Sequence, residues 1–418
     1  MNKRRIKIYY FINKYFTSEN IRTFIFFLIV LNIVYNQIVN NTFNIINLID
    51  VKILLSLILL FVSDSIAKVI NCFIQNYLED YVKQTNDYEY IIKKYSLTDK
   101  VKFKQLDGKY VELPYSVLCK KNQEMSIEIF DNNEKYYQLP SQISKNSSSI
   151  MKVHKGSIIY NNINIRLDDI HCDNNVIKLY TSRTYYYDSL LTNRAIDVVL
   201  HDNMTIREIY EPGPYFNKLS LSKMSNHLGF NGIIITSDNM ILLVKRSRKV
   251  SIAKSMIGSS ISASLKAKYA VNSLTYNFTC KGLANAIKKE VLDELNINID
   301  NISDTEILES IKYFYIDMLD GGKPQFFVLL NIDINSQDIL KMFYDDRKRN
   351  SNYESQVRKD GKEIKLFKLE DLLDASIPYI NNYDSKYDLN KLIISNTKYN
   401  MHPNVAMSIT FLKEIYKR

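Results

Sequence analysis

Apolar and polar positions divide the chain into three stretches with different periods. Residues 23–49 carry no charge, and TFIFFLIVLNIVYNQIV (23–39) and ILLSLILLFVSDSIAKVINCFI (53–74) are apolar runs of membrane-helix length. The connection NNTFNIINLI (40–49) joins them, and basic residues gather before the first run as Lys3, Arg4, Arg5, Lys7, Lys14 and Arg22. The positive-inside rule then predicts a transmembrane hairpin with both termini cytoplasmic. A signal peptide is the rival reading, but a second apolar run follows instead of a small-residue cleavage site. Asp64 and Lys68, one turn apart in the second run, read equally as an intrahelical pair or as a polar stripe facing partner helices.

A polar helical connector follows from Tyr77 to about Lys100, and then the period becomes two. KVKFKQLDGKYVEL, MSIEIF, GSIIYNNINIRLDDI and NNVIKLYTS alternate apolar and polar residues between Asp-Gly, Asn-Asn and Asp-Asn turn signals. The region to about 215 is therefore predicted to be β-rich, with QLPSQISKNSSS (138–149) a mobile loop within it. Beyond 216 the periods mix. GFNGIIITSDNMILLVKRS (229–247) predicts a hairpin, residues 282–295 a helix, and GGKPQFFVLLNIDI (321–334) a strand. EIKLFKLEDLL (363–373) predicts a strand running into a helix, and the chain ends on an amphipathic helix with Pro403 in its first turn. The expected fold class is multi-domain: a hairpin over 1–76, a connector and β-rich region over 77–215, and an α/β domain over 216–418.

Composition adds direction without choosing a chemistry. A formal charge of +10 favours anionic partners, whether lipid head groups, nucleotides or RNA. The four cysteines, Cys72, Cys119, Cys172 and Cys280, stand far apart. Their spacing argues against a disulfide framework and a Cys-rich zinc site, and fits a reducing cytosol. The five histidines show no ligand spacing. With no Trp and 31 Tyr, stacking and interfacial roles fall to tyrosine.

Chemistry concentrates in GLANAIKKEVLDELNI (282–297). Leu283, Ile287, Val291 and Leu295 form a period-four buried stripe, while Glu290, Asp293 and Glu294 share another face. Three carboxylates one turn apart offer the hard oxygen ligands of Mg²⁺, and equally make a solvated face balanced by Lys288 and Lys289.

KEVLDELNI (289–297) resembles the second half of the Nudix box: Lys289 for its Arg, then Glu290, Val291, Asp293 and Glu294, Asn296 for its Gly, and Ile297. A basic hairpin before the helix and the Lys323-Pro324 strand after it are similar to the Nudix order over 216–418. The resemblance implies an α/β/α sandwich with Glu290, Asp293 and Glu294 as ligands of Mg²⁺. The sequence departs from the family in MIGSSISAS (256–264), where one Gly stands among serines and no Glu follows. An insertion separates Gly258 from Lys289, and Lys281 takes the place counted for the upstream Glu. These departures favour binding over hydrolysis.

The whole layout is similar to the two-helix membrane effectors with a SMODS-associated Nudix domain from CBASS anti-phage systems. That resemblance implies a cyclic di- or oligonucleotide second messenger, a nucleotidyltransferase as functional partner, a homo-oligomer, and membrane lipids as target at the bacterial inner membrane. The middle β block is also similar to the β-rich sensor of related two-helix effectors, so either block is open as the ligand site. Phosphodiesters call for Arg or Lys, and bases for aromatic faces. Candidate ligand residues are Arg183, Tyr185, Tyr187, Asn193 and Arg194 in TSRTYYYDSLLTNR, Phe230 and Asn231 before the hairpin, Arg246 and Arg248 in KRSRK, and Gln325. The tyrosine run reads also as half-buried core, and KRSRK as a solubilising strand end. Two rival functions stand beside the effector: a membrane-tethered Nudix hydrolase of a nucleoside diphosphate derivative, and a membrane-anchored scaffold.

Overall fold

The computed structural model describes residues 87–151, 154, 161–200, 204–246, 255–349, 361–380 and 386–416. In chain order the elements are α1 (Tyr88–Lys94), β1 (Lys102–Lys104), β2 (Tyr110–Glu112), β3 (Tyr115–Lys120), β4 (Ser126–Tyr136), α2 (Ser141–Met151), β5 (Ile163–Cys172), β6 (Val176–Tyr185), α3 (Tyr186–Leu191) and α4 (Ile206–Tyr210). They continue as β7 (Gly229–Ile235), β8 (Met240–Arg246), β9 (Ile257–Gly258), β10 (Ile261–Ser264), α5 (Ala267–Ala270), α6 (Cys280–Leu295), α7 (Asp304–Ser310), β11 (Ile311–Asp317) and β12 (Lys323–Asn331). The last are α8 (Ser336–Arg349), β13 (Gly361–Lys368), α9 (Leu369–Leu373), β14 (Lys391–Ile394), β15 (Thr397–Asn400) and α10 (Pro403–Ile415).

An eight-stranded mixed sheet, in the order β13-β8-β7-β12-β11-β3 with β10 on β7 and β9 on β8, organises the unit. Its centre is the parallel pair β7–β12, in register Gln325 opposite Gly229 through Asn331 opposite Ile235. GFNGIII and KPQFFVLL are buried throughout, as strands covered on both faces must be. Phe230, Ile234, Leu242, Phe314 and Phe326 face α6 and, with it, Ile165, Leu167, Ile177 and Leu179 of a three-stranded sheet β4-β6-β5. On the other face Ile233, Leu243, Tyr315 and Phe327 pack under Val405, Ile409, Phe411 and Leu412 of α10.

Several predicted elements are present: the 229–246 hairpin, whose turn residue Asn239 has φ 58°, the 280–295 helix, β12, β13 running into α9, and α10 with Pro403 at its start. Others need correction. The run 138–149, expected as a mobile loop, supplies most of α2 (Ser141–Met151), because Ile143 and Ile150 lie on one face and enter a small core with Leu191, Ile196 and Ile206. Cys119 and Cys172 are disulfide-bonded, their Cα atoms 6.1 Å apart, which spacing in the sequence argued against. A 53-residue separation says nothing about strands brought side by side by tertiary folding.

The expected fold class is also corrected. Residues 84–418 form one compact unit, in which β3 pairs with β11 from Tyr313 opposite Lys120 to Asp317 opposite Tyr115. The described part is thus a mixed α/β arrangement of several sheets, with the β-rich region and the α/β region sharing one core. No helix among the described residues is long and apolar enough to cross a membrane. That finding overturns the expected multi-pass placement in the bacterial inner membrane with cytoplasmic termini. The runs 23–39 and 53–74, with Asp64 and Lys68, lie outside the described residues.

Beside α4, Glu211 is fully buried, with Oε2 accepting the Asn217 amide at 3.1 Å. Burial pushes its carboxyl from an ordinary 4.5 up to about 7. A folded-state value above the unfolded one means stability that is full below pH 4.5 and is lost as pH rises to about 7. Glu211→Gln is therefore expected to match the wild type near pH 4 and exceed it at pH 8 by on the order of 3 kcal/mol. Urea unfolding at the two pH values checks this; equal offsets at both would refute it.

Candidate functional site

The α6 face is built as the sequence predicts on its apolar side. Leu283, Ile287, Val291 and Leu295 are all fully buried. Thr279 caps the helix start by accepting the Gly282 amide, and Asn296 ends it in the left-handed conformation at φ 60°, the place where glycine is usual. Gly282 lies so close to the carbonyl of Ala270 that a Cβ would overlap it, which seats α6 tightly on α5.

Each of the three acids meets a group of the chain itself, although Glu290 Oε1 takes no hydrogen bond beyond its ion pair. Lys266 Nζ stands 2.8 Å from Oε1 and 3.0 Å from Oε2 of Glu290, whose side chain is 1% exposed. Tyr269 Oη donates to Asp293 Oδ2 at 2.9 Å, and the Ser262 amide donates to Glu294 Oε2 at 3.1 Å. Burial raises the Glu290 carboxyl, with Lys266 opposing, and drives the Tyr269 phenol up to about 12. Lys266 and Tyr269 both come from the segment between β10 and α6, Tyr269 within α5.

Mg²⁺ requires carboxylate oxygens open to it, completed by water. Here an ammonium already sits on the most buried carboxylate. Among the described residues no group of three or more His, Cys, Asp or Glu is arranged to hold a metal. As they stand, Glu290, Asp293 and Glu294 do not fit the ion, and no chemistry is routed through it.

A second cluster lies where β7 and β12 begin and β8, β10 and β11 end, as the strand registers require. Lys323 opens β12, is 6% exposed, and makes no hydrogen bond or ion pair through its ammonium among the described residues. A Cβ on Gly229 would lie 3.1 Å from its Nζ, so the ammonium crosses over the start of β7. The turn before it is held from three sides. Asp317 Oδ1 accepts the Leu319 amide at 2.9 Å, Arg207 donates to the carbonyls of Met318 and Leu319, and Asn193 Nδ2 donates to those of Asp320 and Gly321. Gly321 and Gly322, at φ 58° and 75°, give the turn its left-handed steps.

Electrostatics makes this neighbourhood cationic. The Lys323 ammonium is lowered to about 8, by burial first and then by Arg194 and Arg246, against the opposing pull of Asp320 and Asp317. Burial takes the His227 imidazole well below its ordinary value, with Lys323 and Arg194 adding to the effect, and takes His402 down to about 4. Both rings are neutral at pH 7. His227 Nε2 lies 3.0 Å from Ser264 Oγ, while its buried Nδ1 has no partner among the described residues. Alongside runs an amide chain: Asn404 Nδ2 donates to Asn231 Oδ1 at 3.2 Å, and Asn231 Nδ2 to Gln325 Oε1 and Tyr315 Oη at 2.6 Å each.

The predicted ligand residues therefore separate. Arg194, Asn231, Gln325 and Arg246 gather at the Lys323 end of the sheet, and Asn193 positions its turn. Arg183 is taken up structurally, bidentate on Asp131 at 2.7 Å and bonded to the Tyr276 carbonyl. Tyr185 stacks on Tyr136 of the small sheet with centroids 5.6 Å apart, and the Tyr187 amide, in α3, donates to Asn161 Oδ1. Phe230 is core, stacked on Phe326 at 5.2 Å on the α6 face. Arg248 lies outside the described residues. Sequence reasoning missed Lys266, His227, His402 and Asn404 as neighbours of these sites, and used Lys323 only as an order marker. The one available signal was a charged residue opening an otherwise apolar strand.

A groove of about 600 Å³ opens elsewhere, between β1, β2 and α10, lined by Lys100, Lys102, Lys104 and Lys413. Its most buried cation, Lys413, is satisfied by the carbonyls of Lys104 and Ala375.

No family model matches the chain, and no curated protein matches it in sequence. Among solved structures it has a likeness to DR0079 from Deinococcus radiodurans, 15% identical, covering 35% of this chain and 70% of that one with a TM-score of 0.20. At that score the likeness carries no argument about fold or function.

Proposed function

We propose that the described unit is a Nudix-like binding module that senses a nucleotide without hydrolysing it. The observation that carries this reading is the Lys266–Glu290 pair at 2.8 Å, a fixed cation on the carboxylate a hydrolase of this kind would offer to its metal. The capping of Asp293 by Tyr269 and of Glu294 by the Ser262 amide supports it. The ligand class, a cyclic di- or oligonucleotide made by a partner nucleotidyltransferase, follows from the family resemblance, as does ligand-driven self-association.

The test is direct. The full-length protein is titrated with 3′,5′-cyclic dinucleotides by calorimetry, and incubated with the same compounds, ADP-ribose, NADH and nucleoside triphosphates in Mg²⁺ or Mn²⁺. Saturable binding of a cyclic nucleotide with no product is the expected result. Turnover that disappears in Glu294→Gln would make the protein a hydrolase.

A further inference from the structure

We infer that the sheet end around Lys323 is an anion-binding site that takes a phosphate group. Three observations converge on it. Lys323 is buried with no acceptor for its ammonium among the described residues, although burying an unpaired charge is among the most destabilising arrangements a fold can hold. Its position is over-determined by the turn that Asp317, Arg207 and Asn193 hold, so the ammonium is placed rather than tolerated. Gly229 keeps the space beside Nζ clear, since any larger residue would set its Cβ 3.1 Å away.

The surroundings suit a phosphate rather than a cation or an apolar group. Arg194 and Arg246 add positive potential, and His227 offers an unpartnered buried ring nitrogen. α10, thirteen residues long, begins here at Pro403 and directs the positive end of its dipole toward the same end of the sheet. Asp320 lowers the net charge without pairing with the ammonium, while burial raises the Asp317 carboxyl to about 8, so that it carries little charge at pH 7. A phosphate oxygen would supply the missing acceptor through a charge-assisted bond. The amide chain Gln325–Asn231–Asn404, whose Asn404 Oδ1 is buried without a partner, lies next to this point and can meet the polar edge of a base or ribose. Assigning the phosphate to a nucleotide rests on the function proposed above; the anion site itself rests on Lys323.

The experiment uses the full-length protein, calorimetry and thermal unfolding, with inorganic phosphate and 3′,5′-cyclic dinucleotides as probes at constant ionic strength. Phosphate is expected to bind and raise the melting temperature of the wild type, and Lys323→Met to weaken that binding by about tenfold or more. Without ligand, Lys323→Met is expected to melt no lower than the wild type, an outcome opposite to that of removing a structural lysine. If the methionine variant fails to fold, Lys323→Gln carries the comparison. Unchanged phosphate affinity in the folded variant, or no binding of phosphate at millimolar concentration, overturns the site. Phosphate binding that needs Lys323, with no binding of cyclic nucleotides, upholds the site and removes the nucleotide reading. Cyclic nucleotide binding indifferent to Lys323 does the reverse.

Discussion

Replacing Lys266 with methionine is expected to destabilise the folded protein by about 2–3 kcal/mol at pH 7, because it leaves a buried carboxylate without its cation or makes it take up a proton. Glu290 is 1% exposed, and Lys266 is its only ion pair among the described residues. The groups acting on its charge are Lys266 and, at longer range, Asp293 and Lys268. Burial already holds the carboxyl above its ordinary value against the pull of Lys266, and losing that lysine raises it further. A raised folded-state value means that the deficit is small below the unfolded carboxyl value of about 4.3 and grows as pH rises through the folded one. Urea unfolding at pH 4 and pH 7 separates the cases. Millimolar Mn²⁺ is expected to raise the midpoint of the variant and leave the wild type unchanged, since only the variant has a vacant cation position. A pH-independent deficit would show that Lys266 acts through its contact with Tyr269, whose ring centroid lies 5.5 Å from Nζ.

The second large effect is expected at Arg207. Its side chain is completely buried and donates to Asp197 through Nε at 2.6 Å and Nη2 at 3.1 Å, to the Met318 carbonyl at 2.7 Å, and to the Leu319 carbonyl at 3.2 Å. Arg207→Leu strips five acceptor atoms at once, Tyr95 Oη at 3.3 Å among them, and leaves the Asp197 charge unpaired, a loss of about 3–5 kcal/mol. Arg207→Leu combined with Asp197→Leu is expected to recover part of it, because the stranded carboxylate is gone. The same single variant loosens the turn that carries Lys323, so phosphate affinity should fall although Arg207 touches no ligand. A variant that loses stability while keeping full phosphate affinity would show that this turn is held well enough by Asn193 and Asp317.

The C-terminal elements could be read from local pattern because their signals are local. The alternation in GFNGIIITSDNMILLVKRS, the four-residue stripe Leu283–Ile287–Val291–Leu295, and Pro403 at a helix start each depend on neighbours in sequence. The run 138–149 misled for the same reason: serines and asparagines signal a loop, while Ile143 and Ile150 form a helix only because Leu191 and Ile206 are there to cover them. Pairing between β3 and β11 crosses position 215 and joins residues some two hundred positions apart, and no local period records a partner. The disulfide between Cys119 and Cys172 is another contact of that kind.

The site divides along the same line. Residue types and spacing alone determined that three carboxylates share one face of a helix, and that arginines stand at residues 194 and 246. Only the tertiary structure decided what those groups meet. The segment ahead of α6 folds back to set Lys266 against Glu290, and a turn held by Arg207 and Asn193 buries Lys323 where no acceptor waits for it among the described residues. The reason is physical. Charge in a sequence is a property of one residue, whereas its neutralisation depends on burial and on partners that only the folded chain brings within reach.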